Sequence, residues 1–282
     1  MSASSALGTF EPVIRLGAFF GIFAAVALWE AVAARRPRIL TRGIRWPSNL
    51  GLLVVDVVAL RLIAPGAAVN VAIAANTGGW GLLNAVALPA WLDVLIAVVV
   101  LDLAIYFQHV MFHAIPTLWR LHRVHHTDLD FDVTTGIRFH PIEILISTII
   151  KCAAVAAIGA PVVAVLVFEI LLNATAMFNH ANASVPSSVE RWLRWLLVTP
   201  DMHRVHHSIR YNETSSNFGF NLPWWDRLFG TYKAQPEAGH DAMIVGVDAF
   251  RDPQESALYR LLLQPFRTTP GRYPINRRQE VA

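Results

Sequence analysis

The stretch LDLAIYFQHVMFHAIPTLWRLHRVHH, residues 101–126, runs from an apolar segment directly into histidine-rich sequence. His109 and His113 are spaced i, i+4, which places both imidazoles on one face of a helix. The pentapeptide HRVHH at 122–126 ends the stretch and occurs again at 203–207. Its histidines are spaced i, i+3, i+4, so each copy collects three rings on one side of a helical turn.

Eight of the chain's 11 histidines fall into three groups: His109 and His113; His122, His125 and His126; His203, His206 and His207. Neutral imidazole is the commonest protein ligand for transition metals. Eight such ligands exceed what one ion can use, so the pattern predicts a two-metal site. The alternative is a set of surface histidines that cluster by chance, which two identical pentapeptides disfavour.

The composition indicates a membrane protein. Of the 282 residues, 55% are hydrophobic and 15% are charged, and the mean hydropathy is +0.45. Soluble domains carry roughly 25% charged residues. The single cysteine, Cys152, excludes a disulfide framework and cysteine-ligated zinc or iron–sulfur sites within this chain, so nitrogen and oxygen atoms must bind any metal. No nucleic-acid partner is expected, because no basic run is interleaved with aromatic residues.

Five apolar segments suggest the fold: 13–34, 49–74, 91–107, 142–157 and 161–177. The first three are long enough for full spans, and the last two are expected to form a helical hairpin that turns at Gly159-Ala160-Pro161. We therefore predict an all-α, integral membrane helical bundle with about three full spans plus a hairpin. Arginines follow the first segment, so the positive-inside rule places residues 35–48, and with them all three histidine groups, on the cytoplasmic face.

The order of the motifs resembles the sterol desaturase/fatty acid hydroxylase superfamily. These motifs are HxxxH at 109–113, HxxHH at 122–126, RFHPIE at 138–143, FNHAN at 178–182, HxxHH at 203–207, NFG at 217–219 and WDRLFGT at 225–231. The resemblance covers about residues 97–232. The family commonly has Asn-Tyr-Gly where this chain has Asn217-Phe218-Gly219, so the phenol hydroxyl is missing here.

The resemblance implies a membrane-bound, non-haem enzyme with two iron ions that uses O2 as cosubstrate to hydroxylate or desaturate a lipid. The implied metal ligands are His109, His113, His122, His125, His126, His180, His203, His206 and His207. The ninth, His180, comes from the second hairpin arm, where a helix-capping role is the alternative.

Four further residues are candidates for the reaction. Helical periodicity puts Asp102 and Glu169 on the histidine-bearing faces of their helices, and acids within a membrane are functional candidates by default; a helix–helix hydrogen bond is the alternative. His140 precedes a proline at a helix entrance and is expected to orient the site; direct binding of the metal is the alternative. Asn217 belongs to the NFG motif.

The predicted function is an O2-dependent di-iron hydroxylase or desaturase that acts on a membrane lipid or sterol. Electrons must come from outside, because the chain shows no GxGxxG sequence, cysteine cluster or haem domain. We expect a ferredoxin or a cytochrome b5-type donor with its reductase. The alternatives are a metal-binding or metal-transporting membrane protein and a zinc-dependent membrane hydrolase.

Three regions are expected along the chain. Residues 1–96 are predicted to form an N-terminal transmembrane anchor region, and residues 97–232 the catalytic region. Residues 233–282 are predicted to form a cytoplasmic segment that becomes a poorly ordered tail from about Pro265, because its end is rich in arginine and proline.

Overall fold

The computed structural model describes residues 3–267, 271 and 273–275, with side chains from residue 13 onward. Within these residues the helices are α1 (Ala3–Val32), α2 (Arg42–Ile63), α3 (Ala67–Gly78), α4 (Ala90–Ala114), α5 (Pro116–His126), α6 (Pro141–Ile158), α7 (Val162–Asn179), α8 (Ser187–Leu193), α9 (Pro200–His206), α10 (Tyr211–Thr214), α11 (Trp224–Leu228), α12 (Gly239–Ala242) and α13 (Leu258–Arg267). Short 3-10 turns lie at Leu83–Ala85, Thr135–Ile137 and Pro253–Ser256. The described ranges contain no β-strand, which confirms the all-α prediction.

Five segments are long and apolar enough to cross a membrane: Val13–Val32, Arg42–Ala85, Ala90–Ala114, Pro141–Ile158 and Val162–Asn179. They correspond to the three predicted spans and the two arms of the predicted hairpin, so the predicted count is confirmed. Their outward side chains are apolar, as at Phe20, Leu62 and Ile149, which are more than 60% exposed. Such a surface is suited to lipid rather than to water.

The second span is broken, whereas the sequence predicted one continuous segment at 49–74. Pro65 cannot donate a backbone hydrogen bond, and Gly66 adopts a left-handed φ of 62° as the N-cap of α3. At one end of α2, the Arg45 side chain donates a hydrogen bond to Asp128 in the loop that follows α5 (2.6 Å). At the other end of the span, the Asn76 amide of α3 donates to the Ala160 carbonyl at the hairpin turn (3.0 Å). The two halves together therefore run the length of the bundle.

The hairpin between α6 and α7 turns where the sequence predicted. Gly159 ends α6 with a φ of 70°, a conformation that glycine adopts without steric cost. Gly81 packs directly against this turn: a Cβ added to Gly81 would lie 2.3 Å from the Gly159 backbone nitrogen. This contact joins the connection after α3 to the end of the hairpin that is remote from the histidines.

The C-terminal region contains one further helix before the predicted tail. Helix α13 continues through Pro265 to Arg267, and its Leu261 is fully buried against Leu52 and Val124. Tyr273 is also buried, with its ring stacked 5.5 Å from Trp119. The remaining part of the predicted tail, residues 268–270, 272 and 276–282, lies outside the described residues.

Candidate metal centre

Nine histidines from four helices meet at one end of the bundle. Helix α4 provides two, α5 three, the C-cap of α7 one, and α9 with its C-cap three: His109, His113, His122, His125, His126, His180, His203, His206 and His207. All nine are buried, and none exposes more than 4% of its surface. The structure thus brings together all the residues that were predicted to be metal ligands. Their role as ligands stays a prediction.

Both copies of the pentapeptide lie at the C-terminal end of a short helix. Helix α5 has Pro116 at its first position, where the missing N–H costs no hydrogen bond. Helix α9 begins with Pro200, and the Thr199 hydroxyl caps it by accepting from the Met202 N–H (3.3 Å). Both sequences therefore start a helix a few residues before the histidines, so that the three rings of each copy project from one face.

The rings form two adjoining groups. The first histidine group is His109, His113, His122, His126 and His206, and the second is His125, His180, His203 and His207. In each group the potential ligand atoms lie within 4.8 Å of one another. Each pentapeptide is divided between both groups, so the repeat does not correspond to one metal per copy. The groups are in direct contact, since the His126 and His207 rings stack with centroids 4.4 Å apart.

Distances between ring nitrogens match those expected around a metal ion. The Nε2 atoms of His109 and His122 are 3.1 Å apart in the first group. In the second, the Nε2 atom of His180 lies 3.1 Å from that of His125 and 3.1 Å from that of His203. Two nitrogen ligands at about 2.1 Å from one ion and at right angles are about 3.0 Å apart. The spacing therefore fits a shared metal ion in each group.

Several ring nitrogens are buried without a hydrogen-bond partner in the described part of the chain. Neither nitrogen of His113 or His126 has one, and the Nε2 atom of His206 also lacks one. Leaving a buried polar atom unsatisfied costs about 1–3 kcal/mol. A transition metal that binds these nitrogens would remove that cost, so the donor set fits a metal centre.

Four rings are oriented by acceptors outside the two groups. Their Nδ1 atoms donate to the Phe218 carbonyl (His109, 2.8 Å), a Glu143 carboxylate oxygen (His122, 2.6 Å), the Ala176 carbonyl (His180, 2.7 Å) and the Ser216 carbonyl (His206, 2.8 Å). A proton on Nδ1 leaves the Nε2 lone pair directed into the group. Acceptors of this kind determine the tautomer and position of metal-binding histidines in proteins.

The histidines outside the spans are neutral at physiological pH. Burial lowers the pKa of His122 and of His180 to about 3. Burial, followed by the neighbouring imidazoles, lowers the pKa of His125, His203 and His207 well below the ordinary value. A histidine must be neutral to bind a metal, so these rings are in the competent protonation state.

Glu143 is a functional candidate that was not among the predicted site residues. It lies in the first turn of α6, is 4% exposed, and accepts from His122 at 2.6 Å. The sequence contained one signal for it: the RFHPIE motif places this acid three residues after His140, at the start of a helix. Its partner was not evident, because 21 positions separate Glu143 from His122.

His140 lies outside both histidine groups. It is the N-cap of α6, where its Nδ1 accepts from the Ile142 N–H (3.2 Å). Its Nε2 donates to the Leu262 carbonyl of α13 (3.1 Å). These contacts orient the start of α6, and hence Glu143, in the way expected of a residue that is not a ligand. Its contribution to the reaction stays a prediction.

Asp102 also makes no contact with the histidines. Its carboxylate accepts from the backbone N–H groups of Asn221 (3.3 Å) and Leu222 (3.2 Å) and from the Trp225 indole (2.8 Å). The bond to Trp225 of α11 joins two helices, as the alternative to a functional role anticipated. Asp102 attaches the segment after α10 to the membrane helix.

Asn217 influences the site by holding the backbone of the turn that it belongs to. It adopts a φ of 52°, in the left-handed region where asparagine is enriched. Its amide donates to the Met202 (2.9 Å) and Lys233 (2.8 Å) carbonyls and accepts from the Lys233 N–H (2.9 Å). These bonds hold the turn in which the next residue, Phe218, presents its carbonyl to His109.

Glu169 is remote from the metal centre. Its carboxylate forms ion pairs with Lys151 of α6 and Arg15 of α1. Eleven residues, or about 16 Å of helix, separate it from His180 on the same arm. The structure therefore does not bring this predicted site residue to the histidines.

Comparison with known proteins is consistent with this site. Residues 94–231, which include all nine histidines, match the fatty acid hydroxylase family. The ornithine lipid hydroxylase OlsE of Rhizobium tropici is 29% identical over 148 residues, covering 52% of this chain and 44% of that protein. The alkylglycerol monooxygenase of Xenopus tropicalis is 29% identical over 172 residues, covering 60% and 37%. The rat cholesterol 25-hydroxylase is 24% identical over 151 residues, covering 51% and 48%.

The chain spans less than half the length of these curated relatives. No solved structure matches it.

Proposed function

Because the chain belongs, through residues 94–231, to the sterol desaturase/fatty acid hydroxylase superfamily, we propose that it is an O2-dependent di-iron hydroxylase or desaturase of a membrane lipid or sterol. The observation that supports this most directly is the pair of adjoining, buried histidine groups at the end of a membrane-spanning bundle. Two groups in contact suit two metal ions that act together.

We propose all nine histidines as iron ligands, five from the first histidine group and four from the second. Iron held in this way supplies the redox chemistry that activates O2 and breaks an unactivated C–H bond. The chain itself provides neutral nitrogen donors, orients them through Nδ1 acceptors and excludes bulk water by burial. His140, Asp102 and Asn217 contribute by positioning the elements that hold these donors.

The lipid class of the substrate is supported by the relatives. Their names specify hydroxylation of ornithine lipids, oxygenation of alkylglycerols and hydroxylation of cholesterol. All three substrates have large apolar parts, and all three reactions insert oxygen. We therefore favour hydroxylation over desaturation for this chain, with a membrane lipid or sterol as substrate.

We place the metal centre on the cytoplasmic face and expect an external electron donor. Arg35, Arg36 and Arg38 lie in the connection between α1 and α2, at the histidine end of the bundle, where Arg36 donates to the Met243 carbonyl (2.6 Å). Positive loops of this kind face the cytoplasm. An acidic ferredoxin or cytochrome b5-type protein, with its reductase, suits this surface.

We retain the three-part division of the chain as a proposal. The anchor region at 1–96 contains α1 and the broken span. The catalytic region at 97–232 contains all nine histidines, and the segment from 233 contains α13, which packs back against α2 and α5.

The decisive experiment combines metal analysis with lipid analysis. Purified protein is expected to contain two irons per chain, and cells that express it should accumulate a lipid with one additional oxygen atom when O2 is present. A product that lacks two hydrogens instead would indicate a desaturase. One zinc per chain with O2-independent turnover, or histidine-dependent metal uptake without lipid oxidation, would contradict the proposal.

A further inference from the structure

A second polar site lies within the membrane-spanning part of the bundle, away from the histidines. The chain leaves the helical conformation at Ala64, Pro65 and Gly66, inside the apolar segment Arg42–Ala85. Within a membrane, non-helical backbone is tolerated only where it is buried in protein or lines a water-filled cavity. The break between α2 and α3 therefore requires an explanation.

This break borders a cavity of about 360 Å³. The charged residues around it come from four helices: Arg15 of α1, Arg61 of α2, Lys151 of α6 and Glu169 of α7. Thr148 of α6, the apolar Leu16 and Leu60, the break itself and the first residues of α3 also line it. A cavity of this size has room for several water molecules, each of which occupies about 30 Å³. It is large enough for a phosphate-sized group.

The lining residues carry more positive than negative charge, which favours the binding of an anion. Both oxygens of the Glu169 carboxylate are engaged, one by Lys151 and the other by Arg15. Arg61 has no carboxylate within ion-pair distance in the part of the chain that the structure describes. A charged side chain within a membrane is costly unless it is paired. An anionic ligand would supply the missing partner.

The helix that follows the break adds to this attraction. Ala67, Ala68 and Val69, the first turn of α3, line the cavity. Gly66 caps this helix without any side chain, so the positive end of the helix dipole faces the cavity unscreened. In other membrane proteins, the N-termini of helices that restart inside the membrane are directed at anionic groups of ligands.

The surroundings indicate where the anion comes from. Leu16, which lines the cavity, is 49% exposed, and Leu62 and Ile63, which follow the lining residue Arg61 along α2, are 78% and 66% exposed. An aqueous ion would have to cross this apolar surface, whereas a lipid brings its headgroup along it. Lys151 lies seven residues from the end of α6, and Glu169 seven residues from the start of α7, about 10 Å of helix in each case. The nearer membrane face is therefore the one opposite the histidines.

We propose that this cavity binds the phosphate headgroup of an anionic membrane lipid from the leaflet opposite the metal centre. The acyl chains would lie along the exposed apolar sides of α1 and α2. Glu169, which the sequence suggested for the reaction, would instead hold Lys151 and Arg15 in place around the headgroup. This proposal does not depend on the catalytic assignment.

The test is a competition experiment on the purified full chain in detergent. A fluorescent phosphatidate would be displaced by unlabelled phosphatidate, phosphatidylcholine or inorganic phosphate. We expect phosphatidate to compete at concentrations at least about ten-fold lower than phosphatidylcholine. Arg61→Gln should weaken phosphatidate binding about five-fold, as expected for one cation near a lipid phosphate, and Lys151→Gln should weaken it at least as much.

Arg191→Gln is the matched control, because it removes an exposed arginine from α8, which does not line the cavity. It should bind phosphatidate like the unmodified protein. Arg61→Gln is the decisive variant, since Arg61 has no ion pair to lose among the described residues, and its thermal unfolding should be unchanged. Equal competition by phosphatidylcholine, an unaltered affinity in Arg61→Gln, or displacement by inorganic phosphate as strong as that by phosphatidate would each overturn the proposal.

Discussion

At the scale of single residues, the site depends on which atom each imidazole presents. Backbone carbonyls at Ser216 and Phe218 accept from His206 and His109. These acceptors lie in an irregular segment after the second pentapeptide. The ring nitrogens of His206 and His109 that point into the first histidine group therefore carry no proton. An unprotonated nitrogen is the condition for binding a metal.

Substitution of one histidine in each group tests the shared centre. His206→Ala removes a donor from the first histidine group, and His125→Ala removes one from the second. Each variant should lose O2-dependent turnover and bind less iron than the unmodified protein, while it still inserts into the membrane, because no apolar span is altered. Iron per chain and lipid product are the measurements.

The control for these variants is His240→Gln. His240 is buried beside Asp201, with 3.6 Å between Nε2 and the carboxylate, and it belongs to neither group. The His240→Gln variant should bind iron and turn over substrate like the unmodified protein. Near-normal activity in either His206→Ala or His125→Ala would show that the two groups do not form one functional centre.

The contact between Glu143 and His122 gives a second prediction. Glu143→Ala should weaken iron binding about 10- to 100-fold, the usual effect of removing an acceptor behind a metal-bound histidine. Glu143→Gln retains a carbonyl oxygen that can accept from Nδ1, and should recover much of the affinity. Competition with a chelator measures both. If the alanine and glutamine variants bound iron equally weakly, the hydrogen bond would not be the cause.

At the scale of secondary-structure elements, polar contacts attach the irregular segments to the spans. Arg45 of α2 is fully buried and donates to Asp128 (2.6 and 2.7 Å) and to Asp132 (2.6 Å) in the loop after α5. Burial alone would raise the pKa of Asp128, but Arg45 and then Arg138 lower it below the ordinary value. This ionised cluster holds the loop that connects α5 to the hairpin.

At the opposite end of the bundle, the close approach of Gly81 to the hairpin turn can be tested. A methyl group on Gly81 would collide with the Gly159 backbone, and the residue has a φ of 99°. Gly81→Ala should therefore destabilise the protein by at least about 2 kcal/mol, measured by thermal unfolding in detergent. Gly79→Ala is the control: its φ is 66°, but nothing lies within 4 Å of the added carbon.

Gly79→Ala should cost only about 1–2 kcal/mol, the backbone strain of a left-handed alanine. A loss of stability in Gly81→Ala no greater than in this control would mean that the α3–α4 connection does not pack on the turn.

At the scale of the whole molecule, one end of the bundle contains the two histidine groups and the other the hairpin turn. If the positive-inside assignment is right, a cysteine at Ser188 in α8 should react with membrane-impermeant thiol reagents only from the cytoplasmic side. A cysteine at Ala85, which is exposed at the other end, should react only from outside. Ser188→Cys and Ala85→Cys are each made with Cys152→Ser, which removes the native thiol.

The reverse labelling pattern in these two variants would place the metal centre outside the cytoplasm. It would also exclude a cytoplasmic electron donor. The Cys152→Ser protein without an introduced cysteine is treated with the same reagents as the background control.

The sequence alone determined the class of the fold and predicted the metal chemistry that we propose. Apolar segments of span length specify membrane helices wherever the backbone must satisfy its own hydrogen bonds, and histidines at i, i+3 and i+4 share a helix face whatever the fold. Those local rules were sufficient to identify eight of the histidines, the hairpin turn and the all-helical bundle, whereas His180 was predicted from the family resemblance.

Only the tertiary structure decided how these parts combine. The division of each pentapeptide between two groups, the acceptor role of Glu143 and the remote position of Glu169 depend on the order in which helices pack. Residues far apart in sequence, such as Glu143 and His122, meet because separate helices lie side by side, and no local pattern encodes that pairing. The sequence predicted one continuous segment at 49–74, so both its break at Pro65 and the cavity beside it, which charged residues of α1, α2, α6 and α7 line, were evident only from the packed helices.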